Sequence, residues 1–390
     1  MVTKTIILSL LILLVGVGIG YSAYLLSPPK EIHVTTTQYA TVTETKPVYS
    51  TVTQSIMIYS TATETRILSY TLTTRPEWPR VLTDALGRRV EIPRPPERIV
   101  STIPSITEDL VALGLLNKIV GVDSYSNYPP VINDLKKNGS VADIGGPWTL
   151  DIEKIINLRP DIVFMCRGVK PQETQFAPKL EERGVRTFFL ICDAAKDQYD
   201  VYTDLRLIAQ VTGRENYVDS VIESIQRTIN NVTTTLAKYN LTRPKVLLLL
   251  GPPSWGLWSA GGDTFINWVI STAGGVNIAS RYSGWPQLDK EYVLSQNPDI
   301  IIITVHGLDP KNIIDEVLKD PVLKETKAAK NNKIFVVSGE TGDALLRPGP
   351  RIGFAVEAVA KILYPNIFGP LTSRDIYSLS TYSYVTSIAR

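Results

Sequence analysis

Few side chains in this sequence could carry reaction chemistry. Of its two histidines, His33 lies in a low-complexity stretch, so the folded part holds only His306. That argues against a His-built zinc site and against most His-dependent proton transfer. Cys166 and Cys192 have neither CxxC spacing nor an adjacent histidine, so no metal centre is expected from them. They end two apolar stretches separated by one helical stretch. Adjacent parallel strands there would bring the two sulfurs within disulfide reach, the alternative being two buried thiols. No GxSxG, P-loop lysine, HExxH or strand-end GxGxxG pattern occurs, and no enzyme is expected.

The carboxylates are more informative. LDIEKIINLRPDIVFM from Leu150 and LDKEYVLSQNPDIIII from Leu288 match at a constant offset of 138 residues: Leu150/Leu288, Asp151/Asp289, Glu153/Glu291, Pro160/Pro298, Asp161/Asp299 and Ile162/Ile300. Each copy reads as a helix that opens on acidic residues, then Pro-Asp, then a buried strand. Asp151 and Asp289 are accounted for as helix N-terminal acids. Glu153 and Glu291, one at the equivalent place in each half, are expected on one surface, at opposite ends of the molecule.

The elements around these residues alternate. IVGVD (119–123), DIVFMC (161–166) and RTFFLIC (186–192) are short apolar runs of the kind that form a parallel sheet covered on both faces. KVLLLLGPPS (245–254), DIIIITVHG (299–307) and KIFVVSG (333–339) repeat the style. Helical stretches intervene, which makes both halves α/β. Between them, residues 213–240 carry Tyr217, Val221, Ile225, Ile229, Val232 and Leu236 at helical spacing, predicting one long helix that joins two lobes. Arg167 follows a strand at the edge where α/β sheets bind ligands, and Trp255 follows the matching strand of the second lobe.

Residues Thr5–Ser27 form 23 uncharged residues, enough at about 1.5 Å each to span a bilayer core of roughly 30 Å. The run is read as an uncleaved signal anchor (1–28), with the bulk of the chain outside; a cleaved signal is the competing reading. Residues 29–79 follow, Thr-rich with units TVTET, TVTQS, TATET and TLTTR recurring every ten residues. Poor in large apolar residues, they are expected to form an extended spacer, with a stacked β-repeat as the rival. Sequons at Asn138, Asn231 and Asn240 would face a glycosylating compartment. The remainder divides into an N-terminal lobe (80–212), the connecting helix (213–240) and a C-terminal lobe (241–390). A net charge of +2 without a basic cluster argues against nucleic acid as a partner.

IVSTIPSITEDLVALGLLNKIVGVDSYSNYPP, the LDxE…RPDIV segment, GGVNIA, WPQLDKEYVL and RPGPRIGFAVEAVAKIL, in colinear order over about residues 80–365, resemble the helical-backbone solute-binding proteins of ABC importers. These take up cobalamin, ferric siderophores and haem. The resemblance implies two Rossmann-like lobes bridged by one helix, a class III periplasmic-binding-protein fold, with ligand in a shallow cleft. It implies that Glu153 and Glu291 dock into a permease dimer bearing ATPase subunits. SYSNYPP and Trp285-Pro286-Gln287 are similar to the cobalamin-binding member, which implies ligand contacts by Tyr125, Trp285 and Arg347, with Arg167 and Trp255 beside them. Pro147 and Cys166 stand where that member has cleft aromatics. Any metal should arrive inside an organic chelate, because no set of protein ligands for one is visible. The alternative from another class is a cell-surface adhesion or structural protein on a Thr-rich stalk.

Overall fold

A computed structural model describes residues 52–57, 67–72, 78–371 and 376–378. The apolar run 5–27 lies outside the described residues, and among those described no helix is long and apolar enough to cross a membrane. The chain divides into two compact units, Met1–Glu77 and Trp78–Arg390.

In the first unit, Val52–Met57 and Ile67–Leu72 pair antiparallel, Val52 opposite Leu72 and Met57 opposite Ile67. Extended backbone was expected here, and in these two segments it is paired, as in the rival β reading. The β-branched and aromatic residues Val52, Thr53, Ile56, Ile67, Tyr70 and Thr71 suit pleated backbone, and two such segments close enough in sequence satisfy each other's N–H and C=O groups.

The second unit opens with an antiparallel hairpin, Arg80–Thr83 with Arg89–Ile92. A five-stranded parallel sheet follows, in the order Thr187–Leu190, Ile162–Cys166, Ile99–Ser101, Ile119–Val122, Ala142–Asp143. The second lobe repeats the plan with Val276–Asn277, Lys245–Leu249, Ile300–Thr304 and Ile334–Val337 in parallel, and Ile376–Ser378 closing the edge antiparallel. Every residue of Ile162–Cys166 and of Ile300–Thr304 is buried, as strands covered on both faces require.

The connecting helix is Glu215–Leu236, shorter at both ends than expected. Its buried face is Val218, Ile222, Ile225, Ile229 and Val232. Tyr217 is instead exposed, under the Arg214 guanidinium at 5.0 Å, and Val221 is only half-buried. Spacings of three and four fit two overlapping stripes, and only the packing partner chooses between them. That partner is the helix Ile352–Leu363. A Cβ on Gly353 would stand 3.1 Å from the Ile225 carbonyl oxygen and 3.2 Å from the Thr228 Cβ, so glycine lets the two helices touch. One apolar cluster therefore runs from Ile99 in the first sheet through Ile225 to Val246 in the second.

The repeat extends to backbone conformation. Arg159 and Asn297, also 138 apart, both adopt left-handed φ, 48° and 47°, ending the preceding helices before Pro160 and Pro298. Leu150/Leu288 and Ile155/Val293 are buried in both copies.

Candidate functional site

The segments that follow the strands of one lobe meet those of the other. After Ile99–Ser101 comes the helix Pro104–Ala112, whose Ser105 abuts Gly349 and whose Glu108 reaches Arg347 and Arg351. After Ile119–Val122, Asn127 Nδ2 donates to Asp343 Oδ2 at 2.9 Å. After Thr187–Leu190, the carbonyl of Ala195 accepts from Phe265 N at 3.1 Å. The C-terminal ends of both sheets thus turn toward one seam, where sheets of this type hold ligands.

Exposed aromatic rings gather on the same strand-end loops. Tyr125 is 60% exposed and its ring lies against Gly146. Trp255 is 64% exposed on the short turn Pro253–Trp255, and Trp285 is 41% exposed. Sequence reasoning missed Trp148 and Trp258, which are also exposed. Trp148 directly follows Pro147, the residue that stands where an aromatic was expected, so its signal was displaced by one position. Tryptophan is rarely left in water without a partner to cover it.

Rigid backbone holds these rings. Segments 257–262 and 282–288 are laced together by Gly262 N to Tyr282 O (2.8 Å), Ser259 N to Pro286 O (2.9 Å) and Leu288 N to Leu257 O (2.9 Å). A Cβ on Gly262 would fall 2.1 Å from the Ser280 oxygen, so that approach demands glycine. In the first lobe the fully buried Gln172 does the equivalent work. Its Oε1 accepts from Cys166 N and Thr102 Oγ1, both at 2.8 Å, and its Nε2 donates to the Pro147 carbonyl at 3.1 Å. This one amide positions the turn that carries Trp148. Nothing in the sequence marks it out.

Arg347 is placed differently from a free cleft cation. Its Nη1 donates to Glu108 Oε1 (3.0 Å) and Asn127 Oδ1 (2.7 Å), and its Nη2 donates to the Tyr125 carbonyl (3.3 Å) and forms an ion pair with Asp343 Oδ1 (3.0 Å). Arg351 adds Nε to Glu108 Oε2 (2.7 Å) and Nη2 to Glu108 Oε1 (2.6 Å), and stacks on Tyr128 at 4.0 Å. Burial opposes the Arg351 charge, but its bonds to Glu108 prevail and push its pKa up. Arg167 is exposed and points its Nη1 toward the Ala85 carbonyl of the N-terminal hairpin, 3.5 Å away.

Buried acids underlie the seam. Asp123 accepts from Tyr125 N and Ser126 Oγ, and burial lifts its pKa to about 6. Asp204 accepts from Ile191 N and Cys192 N, and burial lifts it to about 7. Cys192 lies beyond its strand, in a short turn with φ 53°, and not at the strand's end as expected. Even so, its Cα stands 5.3 Å from that of Cys166, and the two sulfurs are joined. The Asp193 carboxylate lies within 4.8 Å of both sulfurs, and burial lifts its pKa to about 6.

Glu153 and Glu291 sit in the first turns of Ile152–Asn157 and Lys290–Gln296. Both are exposed, and neither has an ion-pair partner among the described residues. Their neighbours differ: the Asp151 carboxylate caps its helix by accepting from Lys154 N, whereas Asp289 makes no such bond.

Comparison with known proteins agrees with this architecture. The periplasmic binding protein family profile matches residues 99–341. The chain belongs to that family. A substrate-binding lipoprotein of an ABC transporter in Bacillus subtilis (strain 168) is 28% identical over 75% of this chain and 87% of its own length. A vitamin B12-binding protein of Yersinia pestis is 31% identical over 53% of this chain and 69% of its own. Among solved structures, a periplasmic haem-binding protein of Pseudomonas aeruginosa superposes with a TM-score of 0.64 at 26% identity, covering 73% of this chain and 98% of that one.

Proposed function

We propose that this chain is the extracytoplasmic solute-binding subunit of an ABC importer, and that its seam between lobes captures a metal chelate for delivery to a membrane permease. The observation that carries the reading is the set of exposed rings, Tyr125, Trp148, Trp255, Trp258 and Trp285, on strand-end loops of a family fold whose relatives include vitamin B12- and haem-binding proteins. A planar chelate gains most of its affinity from apolar and aromatic faces with a few placed polar groups. Absorbance titration of the full chain with vitamin B12 and with haemin tests it. A saturable spectral change with one of them is expected; none with either overturns the reading.

Glu153 and Glu291 serve docking in this account. Exposed, unpaired and equivalent in the two lobes, they suit a two-fold partner with one basic pocket per subunit. The run 5–27 tethers the chain, with the domain outward; the sequon residues Asn138, Asn231 and Asn240 are all exposed and open to glycosylation.

A further inference from the structure

We propose that Glu108 is a selectivity residue: by engaging Arg347 and Arg351 it withholds both guanidiniums from the cleft and excludes anionic chelates in favour of neutral ones. This rests on the reading that the seam binds a chelate.

Arginines beside a binding cleft ordinarily recruit carboxylates, because the guanidinium fork matches them. Here the forks are already occupied. Glu108 comes from the first lobe, both arginines from the second, and all three side chains are largely withdrawn from water: 1% exposed for Glu108, 10% for Arg347 and 11% for Arg351. Glu108 Oε1 accepts from both arginines and Oε2 from Arg351. Asp343 forms an ion pair with Arg347 at 3.0 Å, and the buried Asp123 carboxylate also acts on Arg347. Two cations therefore face three carboxylates, with no guanidinium charge left over for a ligand. The arrangement nevertheless borders the binding surface, since Arg347 donates to the carbonyl of Tyr125, whose ring is exposed. An entering haem propionate or ferric carboxylate chelate would have to displace Glu108 or stay desolvated beside it. A neutral corrinoid meets no such penalty.

Removing the Glu108 charge while keeping its shape reverses the preference. Glu108→Gln raises the charge at the seam by one and leaves a buried guanidinium that an anion can satisfy. The full chain and its variants are titrated with vitamin B12, a neutral chelate, and with haemin and ferric citrate, both anionic. Wild type is expected to favour vitamin B12, and Glu108→Gln to gain at least about tenfold for the anionic probes. Asp343→Asn makes the same charge change from the other lobe and should show the same gain, which keeps the test decisive if Glu108→Gln does not fold. Glu108→Gln with Arg351→Gln restores the original charge and should gain nothing. A wild type that takes haemin as tightly as vitamin B12 overturns the selectivity role and leaves the cleft standing. So does a folded single variant with no gain. A wild type that binds none of the probes overturns the cleft reading, and this one with it.

Discussion

Asp161 and Asp299, 138 residues apart, do the same work in the two lobes. Asp161 Oδ2 accepts from Arg98 N at 2.9 Å and Asp161 N donates to the Arg98 carbonyl at 2.8 Å. Asp299 Oδ2 accepts from Lys245 N and Asp299 N donates to the Lys245 carbonyl, both at 2.8 Å. Each aspartate ties the start of its own strand to the start of the strand beside it. The aspartate of the Pro-Asp repeat is therefore a sheet clamp. Helix-to-strand punctuation alone would not require its carboxylate.

Asp299→Ala should accordingly destabilise the domain by about 1–2 kcal/mol, the usual cost of removing a charged acceptor from a backbone N–H. Denaturant unfolding would measure it. A variant as stable as wild type would show that the clamp contributes nothing.

Docking and binding should separate. Glu153→Arg with Glu291→Arg is expected to leave chelate affinity unchanged while abolishing stimulation of the transporter's ATPase in reconstituted vesicles. Loss of ligand binding by the folded double variant would refute the docking assignment.

Trp285→Ala should weaken chelate binding by more than about 1 kcal/mol, and Trp148→Ala and Trp258→Ala should do likewise, as anchoring rings in a binding surface do. Titration calorimetry on each variant decides ring by ring, and an unchanged Kd removes that ring from the site.

Stability should fall as pH rises from about 4 to about 8. Asp123, Asp193 and Asp204 have folded pKa values raised by burial to about 6, 6 and 7. A raised carboxyl holds its proton in the fold after the unfolded chain has released it, so its contribution is complete below the unfolded pKa and lost through the folded one. Asp143, Asp161 and Asp320 are lowered, mainly by hydrogen bonds that outweigh burial, and act in the opposite sense at more acid pH. Melting temperatures across this range, with Asp193→Asn flattening the slope, provide the check. A Tm that climbs from pH 4 to 8 would contradict the assignment.

The unreduced, unfolded chain should show no free thiol, because Cys166 and Cys192 are joined. Breaking a bridge that closes 26 residues of separation should cost about 3 kcal/mol. Thiol titration followed by melting with and without a dithiol reductant tests both; two reactive thiols would rule the bridge out.

Strand and helix identities could be read from local pattern, since a fully buried strand must be a short continuous apolar run and a lobe-bridging helix must repeat at three and four. The 138-residue repeat was legible for the same reason: each copy solves the same local problem, down to the left-handed residue before the proline. Face and partner were not legible. Whether Tyr217 or Val218 turns inward depends on Gly353 admitting a second helix, 135 residues away in sequence. Trp258 and Gln172 carry no local signature, because what makes them matter is the set of strand ends they meet. Arg347 shows the distinction most plainly. The family resemblance implied a cation available to a ligand, but its charge is engaged by Glu108, 239 residues earlier and on the opposite lobe. Pairing of charges across a seam depends on distance in space, and only the folded chain sets that.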